Sequence, residues 1–311
     1  MSNLRSEPVL GPASHSDEWY RMRRKILGAS EAAAVCGVSP YATAFDVYCE
    51  KVGLKEPPRE TLPMRIGTAL EPAMAAEYER VTACPPLERH LPMYFHGLFP
   101  FLAATPDCRR TDAERLVELK STTFRRAAEL GDDMSDYVPN DWNMQCQQQM
   151  EVMGVDQVDM GVLLDKNTFR LFQVLRNDEL IAMIVMAAQE LHERILNRDP
   201  PEPDWNHPRQ AEVIKHLYCG HDSTVVQLDA ETAGWWEESE QIAVKIAGLE
   251  QRKETLRAQV QQRMKDHAAG RLLDGRHEIV HIQVAEKEIA AYTRGAYGYL
   301  RKRKIPGRRS R

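Results

Sequence analysis

Two carboxylates and a lysine fall within one stretch of the chain, Leu98–Ser121, which reads LFPFLAATPDCRRTDAERLVELKS. Asp107 follows a proline, and Glu118-Leu119-Lys120 comes after ten intervening residues, a P-D-x10-E-x-K spacing. Phe99–Thr105 is apolar and aromatic and reads as a strand. Pro106, Asp107 and the polar run Arg109–Glu114 read as a turn, and Leu116–Lys120 alternates as a second strand. Alternate side chains of a strand share a face. Glu118 and Lys120 therefore point one way, toward a cleft, while Val117 and Leu119 point the other, into a core. The hairpin would bring Asp107 beside Glu118. Two carboxylates are hard oxygen donors and suit a divalent cation, Mg²⁺ before others. A lysine beside them can orient a water or offset charge on a phosphate. A surface hairpin with a Glu/Lys pair and a turn aspartate has the same spacing, so other segments must decide.

Three such segments carry polar groups. The first is WYRMRRKILGASE, Trp19–Glu31. Its basic run Arg21–Lys25 precedes Ser30, which can cap a short helix ending at Gly37. Free amides, a hydroxyl and an arginine could meet there on one phosphate, although a solvated helix face with an ordinary cap is the plainer reading. The second is Met64–Arg80, interrupted by Pro72. Proline fits best at the first helical position, so a helix is expected to start there with Glu71 just before it as a free carboxylate. The third is Asn140–Gly154, a helix whose apolar stripe is Trp142, Cys146, Met150 and Met153. Gln145 and Gln149, four apart, share one face, and a glutamine there could bind water or a phosphate oxygen.

The elements that must position these groups follow from the rest of the pattern. The first 15 residues are polar and irregular and read as a loose arm. Ser16 caps a first helix, and Thr43 caps another that ends at Gly53. Val158–Leu164 and Phe169–Leu175 form a hairpin, and Asp178 opens an amphipathic helix reaching Asn197. Pro200-Pro-Glu-Pro-Asp-Trp205 is a boundary. Beyond it come a short strand at Val225–Leu228, a long helix over Thr232–Ala269, and a hairpin around Asp274-Gly275. In the long helix Ile242, Ile246, Leu249, Leu256 and Val260 make a heptad seam with Lys253 in one core slot. The end, Arg301–Lys304 and Arg308–Arg311, is strongly basic and could hold a phosphate backbone. The domains expected are the arm 1–15, a catalytic core 16–205 and an extension 206–311.

With 311 residues, 43% hydrophobic and 28% charged, the composition is that of a soluble globular protein. A net charge of −5 rules out a generally basic surface, so any nucleic-acid site must be local. Six scattered cysteines without a C-x-x-C pair argue for a reducing compartment and against a cysteine-held zinc or iron–sulfur cluster. No signal peptide is read at the start, and the expected location is the cytoplasm.

The ordered set W-x3-R, G-A-S-E, G-x3-E-P, P-D-x10-E-x-K and Q-x-Q resembles the YqaJ-type viral recombinases, which include lambda-type exonucleases within the restriction-endonuclease-like PD-(D/E)XK superfamily. The resemblance covers about residues 16–175. It implies an α/β fold, a mixed central sheet flanked by helices. It also implies Mg²⁺-dependent degradation of linear double-stranded DNA from 5′ ends, with Mn²⁺ as a substitute ion and 3′ single-stranded overhangs as product. Carried over, Asp107 and Glu118 would hold the metal with the Leu119 carbonyl, and Lys120 would be the catalytic lysine. Glu71 and Gln145 match further catalytic positions, and a second ion held partly by Glu71 stays open. Arg23 and Ser30 match the 5′-phosphate pocket, with Arg24 leaving the arginine register open by one. Implied partners are DNA ends, a single-strand annealing protein and further copies of the chain in a ring trimer. For a phage-encoded member the location would be the host cytoplasm. An endonuclease of restriction or repair type, and a non-catalytic DNA-binding or assembly protein, remain alternatives.

Overall fold

The computed structural model describes residues 7–56, 61–165, 167–220, 224–273 and 277–280. Two compact units divide at Cys219/Gly220. Three sheets are formed. The first is four-stranded in the order β1 (Val9–Leu10), β4 (Tyr94–Phe95), β5 (Leu102–Ala104), β2 (Leu27–Gly28). The second is five-stranded in the order β3 (Glu88–Arg89), β6 (Cys108–Arg109), β7 (Leu116–Thr122), β8 (Gln157–Leu164), β9 (Thr168–Leu175). The third is a hairpin of β10 (Ala269–Arg271) and β11 (Glu278–Val280) in the second unit.

The five-stranded sheet is mixed, with β7 and β8 parallel and the other pairs antiparallel. Parallel neighbours need a crossover, and α6 (Asn140–Met153) supplies it. Its stripe Trp142, Cys146, Met150 and Met153 packs with Leu116, Val158, Met160, Val162 and Phe172 on one face of the sheet. On the other face α4 (Leu62–Thr82) sets Met74, Ala75 and Tyr78 against Val117, Leu119 and Leu171. A mixed sheet flanked by helices, as a restriction-endonuclease-like core requires, is therefore present. Alternation along β7 sends Val117 and Leu119 to the α4 side, as its sequence predicts, and leaves Glu118 and Lys120 on the other. Gly161 of β8 lies beside Leu119 in the sheet, where a Cβ would meet Phe169 at 2.7 Å and Leu119 at 3.1 Å.

Several expectations held at the level of single caps. Ser16 Oγ caps α1 (Asp17–Arg23), and Thr43 with Asp46 caps α3 (Ala44–Lys51). The hairpin β8–β9 and helix α7 (Asp178–Asn197) lie where they were expected. Others need correction. The Phe99–Thr105 segment does not pair with β7. Only its end, β5, is a strand, and it pairs with β2 and β4. The hairpin partner of β7 is β6, because Cys108 and Arg109 extend the chain right after Asp107.

The arm also differs, because Val9 and Leu10 pair with Phe95 and Tyr94. The helix α4 does not start at Pro72. It begins after Thr61, whose hydroxyl accepts from Met64 N, and runs through the proline. An interior proline costs about 3 kcal/mol or more, and the burial of Met74, Ala75 and Tyr78 beyond it offsets that cost. Ser30 is not a cap. The turn Ala29–Glu31 is closed by Glu31 Oε2, which accepts from Gly28 N at 2.8 Å, and α2 (Ala32–Val35) follows.

The first unit extends past the proline-rich segment, because α8 (Gln210–Leu217) buries Val213 and Gln210 against it. In the second unit Val225–Leu228 forms no strand, and α9 spans Ala230–Met264. The basic end, 301–311, lies outside the described residues. Among the described residues no helix is long and apolar enough to cross a membrane.

The link between α4 and β8 is polar as well as apolar. Tyr78, fully buried, donates to Asp159 Oδ2 at 2.6 Å. Removing the hydroxyl leaves a buried carboxylate oxygen without its donor. Tyr78→Phe is therefore expected to lower unfolding free energy by about 1.5–3 kcal/mol. Urea denaturation checks this, and an unchanged midpoint would show that Arg115, 3.7 Å from the same carboxylate, takes over.

Candidate active site

One cavity of about 480 Å³ receives all the residues singled out above: Arg23, Ser30, Glu71, Asp107, Glu118, Leu119, Lys120 and Gln145. Each comes from a different local cause. Glu118 and Lys120 are same-face neighbours on β7. Asp107 lies in the bend between β5 and β6, and its Oδ2 accepts from Leu119 N at 2.7 Å, which ties the bend to the central strand. Gln145 and Gln149 are one turn apart on α6 and both reach Glu118. Glu71 reaches the cavity from the middle of the continuous α4, so the expected role of a helix start in freeing it does not apply.

Glu118 is the most heavily bonded group. Its Oε1 accepts from Lys120 Nζ at 2.7 Å and Gln145 Nε2 at 2.6 Å, and its Oε2 accepts from Gln149 Nε2 at 2.7 Å. Lys120 also donates to Gln145 Oε1 at 2.9 Å. The glutamine expected to bind water or phosphate thus bonds the carboxylate and the lysine. Gln149 was visible in the sequence only as a partner of Gln145 on one face, and its Oε1 is buried without a hydrogen-bond partner among the described residues.

The electrostatics follow from three carboxylates facing one ammonium. Burial and then the charge of Glu118 push Asp107 well above the usual carboxylate range. Burial and then Glu118 raise Glu71 as well. Burial works against a charged Lys120, but Glu118 and Asp107 outweigh it and hold the lysine above its ordinary value. A divalent cation would relieve this repulsion. The donors near it are oxygens, which suits Mg²⁺ or Mn²⁺. Among the described residues no three His, Cys, Asp or Glu side chains are grouped to hold an ion by themselves. Asp107 and Glu118 would thus share it with the Leu119 carbonyl and water.

Elsewhere in the cavity lining, Arg23 donates to Ser30 Oγ at 3.1 Å and lies 5.0 Å over the Trp19 ring. Arg23 lines the cavity, whereas Arg24 is exposed and faces Glu56 at 3.6 Å. Trp19 is fixed in turn by its indole N–H, which donates to Thr105 Oγ1 at 3.1 Å. His15, Arg89 and His90 line the same cavity and had no sequence signal.

Glu118 and Lys120 on β7, with Asp107 in the bend before β6 and a glutamine-bearing crossover helix packed over them, form the polar cluster of a mixed α/β protein. Residues 18–156 match the model of the YqaJ-like viral recombinase domain, so over this segment the chain is similar to that family. The uncharacterized protein YqaJ of Bacillus subtilis (strain 168) is 25% identical over 277 residues, 87% of this chain and 85% of its own. Among solved structures, the alkaline exonuclease LHK-Exo of Laribacter hongkongensis is 20% identical with a TM-score of 0.48, covering 59% of this chain and 94% of that one. A phage related exonuclease from Haemophilus somnus 129PT is 11% identical with a TM-score of 0.38, covering 56% and 96%.

The raised Asp107 fixes the sign of a pH effect. A carboxyl that binds its proton more tightly folded than unfolded makes the fold less stable as pH rises from the unfolded value through the folded one. Without divalent ions, stability should therefore fall as pH rises above the ordinary carboxylate range. Asp107→Asn keeps an acceptor for Leu119 N and removes the charge. It should be more stable than the unsubstituted protein at neutral pH, with a flatter pH profile. Denaturation in the presence of a chelator checks both, and a less stable variant would mean that Asp107 is held as a favoured anion.

Proposed function

We propose that the chain is a Mg²⁺-dependent exonuclease that degrades one strand of linear double-stranded DNA from its 5′ end and leaves 3′ overhangs. The observation that carries this reading is one cavity lined both by a carboxylate–lysine cluster and by an arginine–serine–tryptophan corner. The cluster suits hydrolysis of a phosphodiester, and the corner suits a terminal phosphate. Similarity of residues 18–156 to the YqaJ-like viral recombinase domain supports DNA as the substrate. A 3′ overhang is the form of DNA that a single-strand annealing protein would coat, and such a protein is the partner proposed.

Asp107 and Glu118, with the Leu119 carbonyl, would hold the ion. When bound, the ion supplies polarisation of the scissile phosphate and acidification of a water. The chain's own groups do the rest. Gln145 and Gln149 hold Glu118 in one orientation. Lys120, kept charged by Glu118 and Asp107, places the water and offsets negative charge that develops on the phosphate. Arg23, stacked over Trp19 and bonded to Ser30, offers its guanidinium to the terminal phosphate.

The test is digestion of linear duplex DNA labelled at either end, with and without Mg²⁺, beside a closed circular plasmid. Loss of the 5′ label first, dependence on Mg²⁺ or Mn²⁺, and a spared plasmid are expected. Cleavage of the plasmid would favour an endonuclease. Asp107→Ala and Glu118→Ala should each lower the rate by about 10²-fold or more while the fold persists. Wild-type-like cleavage by either would remove the metal-site assignment. A second comparison probes the arginine corner of the cavity. DNA lacking its 5′-phosphate should be digested more slowly by the unsubstituted protein, and Arg23→Ala should erase that difference. Equal wild-type rates on both substrates would rule out the end pocket.

A further inference from the structure

The second unit, Gly220–Arg311, contains a surface that the proposed reaction does not use. Its main element, α9, is 35 residues long, and none of them is buried. At 1.5 Å per residue it extends about 52 Å. The seam Ile242, Ile246, Leu249, Leu256 and Val260 remains between 38% and 70% exposed. Helix propensity does not require apolar residues at heptad spacing. Association with another helix does.

The two halves of α9 carry opposite net charge, the second half setting Arg252, Lys253, Arg257 and Arg263 against Glu250 and Glu254. The first half has Glu231, Glu237, Glu238 and Glu240 against Lys245 alone, around an apolar face of Trp235, Ile242 and Ile246. The second half contributes Leu249, Leu256 and Val260 to a groove of about 680 Å³, completed by Ile279 and Val280 of the β10–β11 hairpin. The charged side chains lining that groove are Arg252, Lys253, Arg257 and Lys265, of which Arg257 also meets Glu254, outside the lining, at 3.1 Å. An acidic amphipathic helix is the occupant such a groove fits, and the first half of α9 is one. Antiparallel pairing of two copies about a twofold axis places each acidic half on the other's basic half and closes both grooves at once. Parallel pairing would set like charge on like. Seam burial would provide the attraction, and charge the direction.

We infer that α9 pairs antiparallel with α9 of a second copy of this chain, the acidic half of each helix lying in the basic groove of the other. The inference is independent of the nuclease reading, because it uses no residue of the cavity and its test reads mass.

Sedimentation of the full chain decides it. The unsubstituted protein should associate, and more weakly as salt rises. Glu237→Lys with Glu238→Lys and Glu240→Lys should weaken association at least about tenfold, as should Arg252→Glu with Lys253→Glu and Arg257→Glu. Mixing the two variants in equal amounts should restore it, because their helices are complementary to each other. Ile246→Ser with Leu249→Ser, exposed side chains whose loss spares the single chain, should abolish it, with circular dichroism confirming folded protein in each case. A chain that stays monomeric up to its solubility limit, or that associates equally with any of these changes, overturns the proposal. So does a mixture of folded variants that associates no better than either alone, in which case the groove takes another partner.

Discussion

Glu118 is 2% exposed and lies beside a second carboxylate, an arrangement the interior tolerates only when every oxygen has a donor. Here the donors are Lys120, Gln145 and Gln149, and meeting them constrains much of the first unit. Lys120 must be on the same face of the same strand, which alternation provides. The glutamines must be one turn apart on a helix that lies across that strand. A parallel β7–β8 pair joined through α6 places the helix there, and the stripe Trp142, Cys146, Met150 and Met153 sets its rotation. The carboxylate-bearing strand and the hydrophobic core under it are therefore one problem with one solution. The same residues that bury the helix also aim its glutamines.

A second clamp joins the two parts of the cavity lining. Gln148, between the glutamines that hold Glu118 on either side of it, donates to the carbonyls of Leu27 and Ala103, at 2.9 and 3.1 Å. These carbonyls belong to β2 and β5, the pair that leads into the Gly28–Ser30 turn on one side and toward Asp107 on the other. Lys51 secures the turn from behind. Its ammonium donates to the Arg23 carbonyl at 2.6 Å and to both oxygens of Glu31 at 2.8 and 2.9 Å, and Glu31 in turn holds Gly28 N. Side chains of this pair are only 5% and 13% exposed, so the ion pair is a structural joint and not a surface contact. One helix and one lysine thus fix the separation between the arginine corner and the carboxylates.

The parts of this arrangement that were legible in the sequence were those governed by local rules. Strand alternation gave the faces of Glu118 and Val117. Side-chain caps gave the starts of α1 and α3, and periodicity gave α7 nearly to the residue. What was not legible depended on tertiary burial. Pro72 is a helix breaker by local rule, but the apolar residues on either side of it have a sheet to pack on, and the helix continues. Val9 and Leu10 look like part of an arm because a two-residue edge strand has no periodicity to detect. Ser30 looks like a cap until the Glu31 carboxylate, held by Lys51 from 20 residues away, takes that role. Val225–Leu228 has strand composition but finds no partner among the described residues. In each case composition states a preference, and a distant surface decides.

Charge separation within the cavity bears on how an acidic protein could act on a polyanion. The chain carries a net −5, and three carboxylates cluster around Lys120. Alone, that cluster would repel a phosphate backbone, and burial first, then the charge of Glu118, raises both Asp107 and Glu71. Arg23 and Arg89 line the cavity elsewhere, so an approaching phosphate meets cations at one place and carboxylates at another. A bound divalent cation would reverse the balance at the carboxylate cluster alone. The sign of the field at the reacting phosphate would then depend on whether the ion is present, while the arginine corner would remain attractive in either state. Under the proposed function, holding a DNA end and cutting it are separable by the metal, because the two halves of the site owe their charge to different sources.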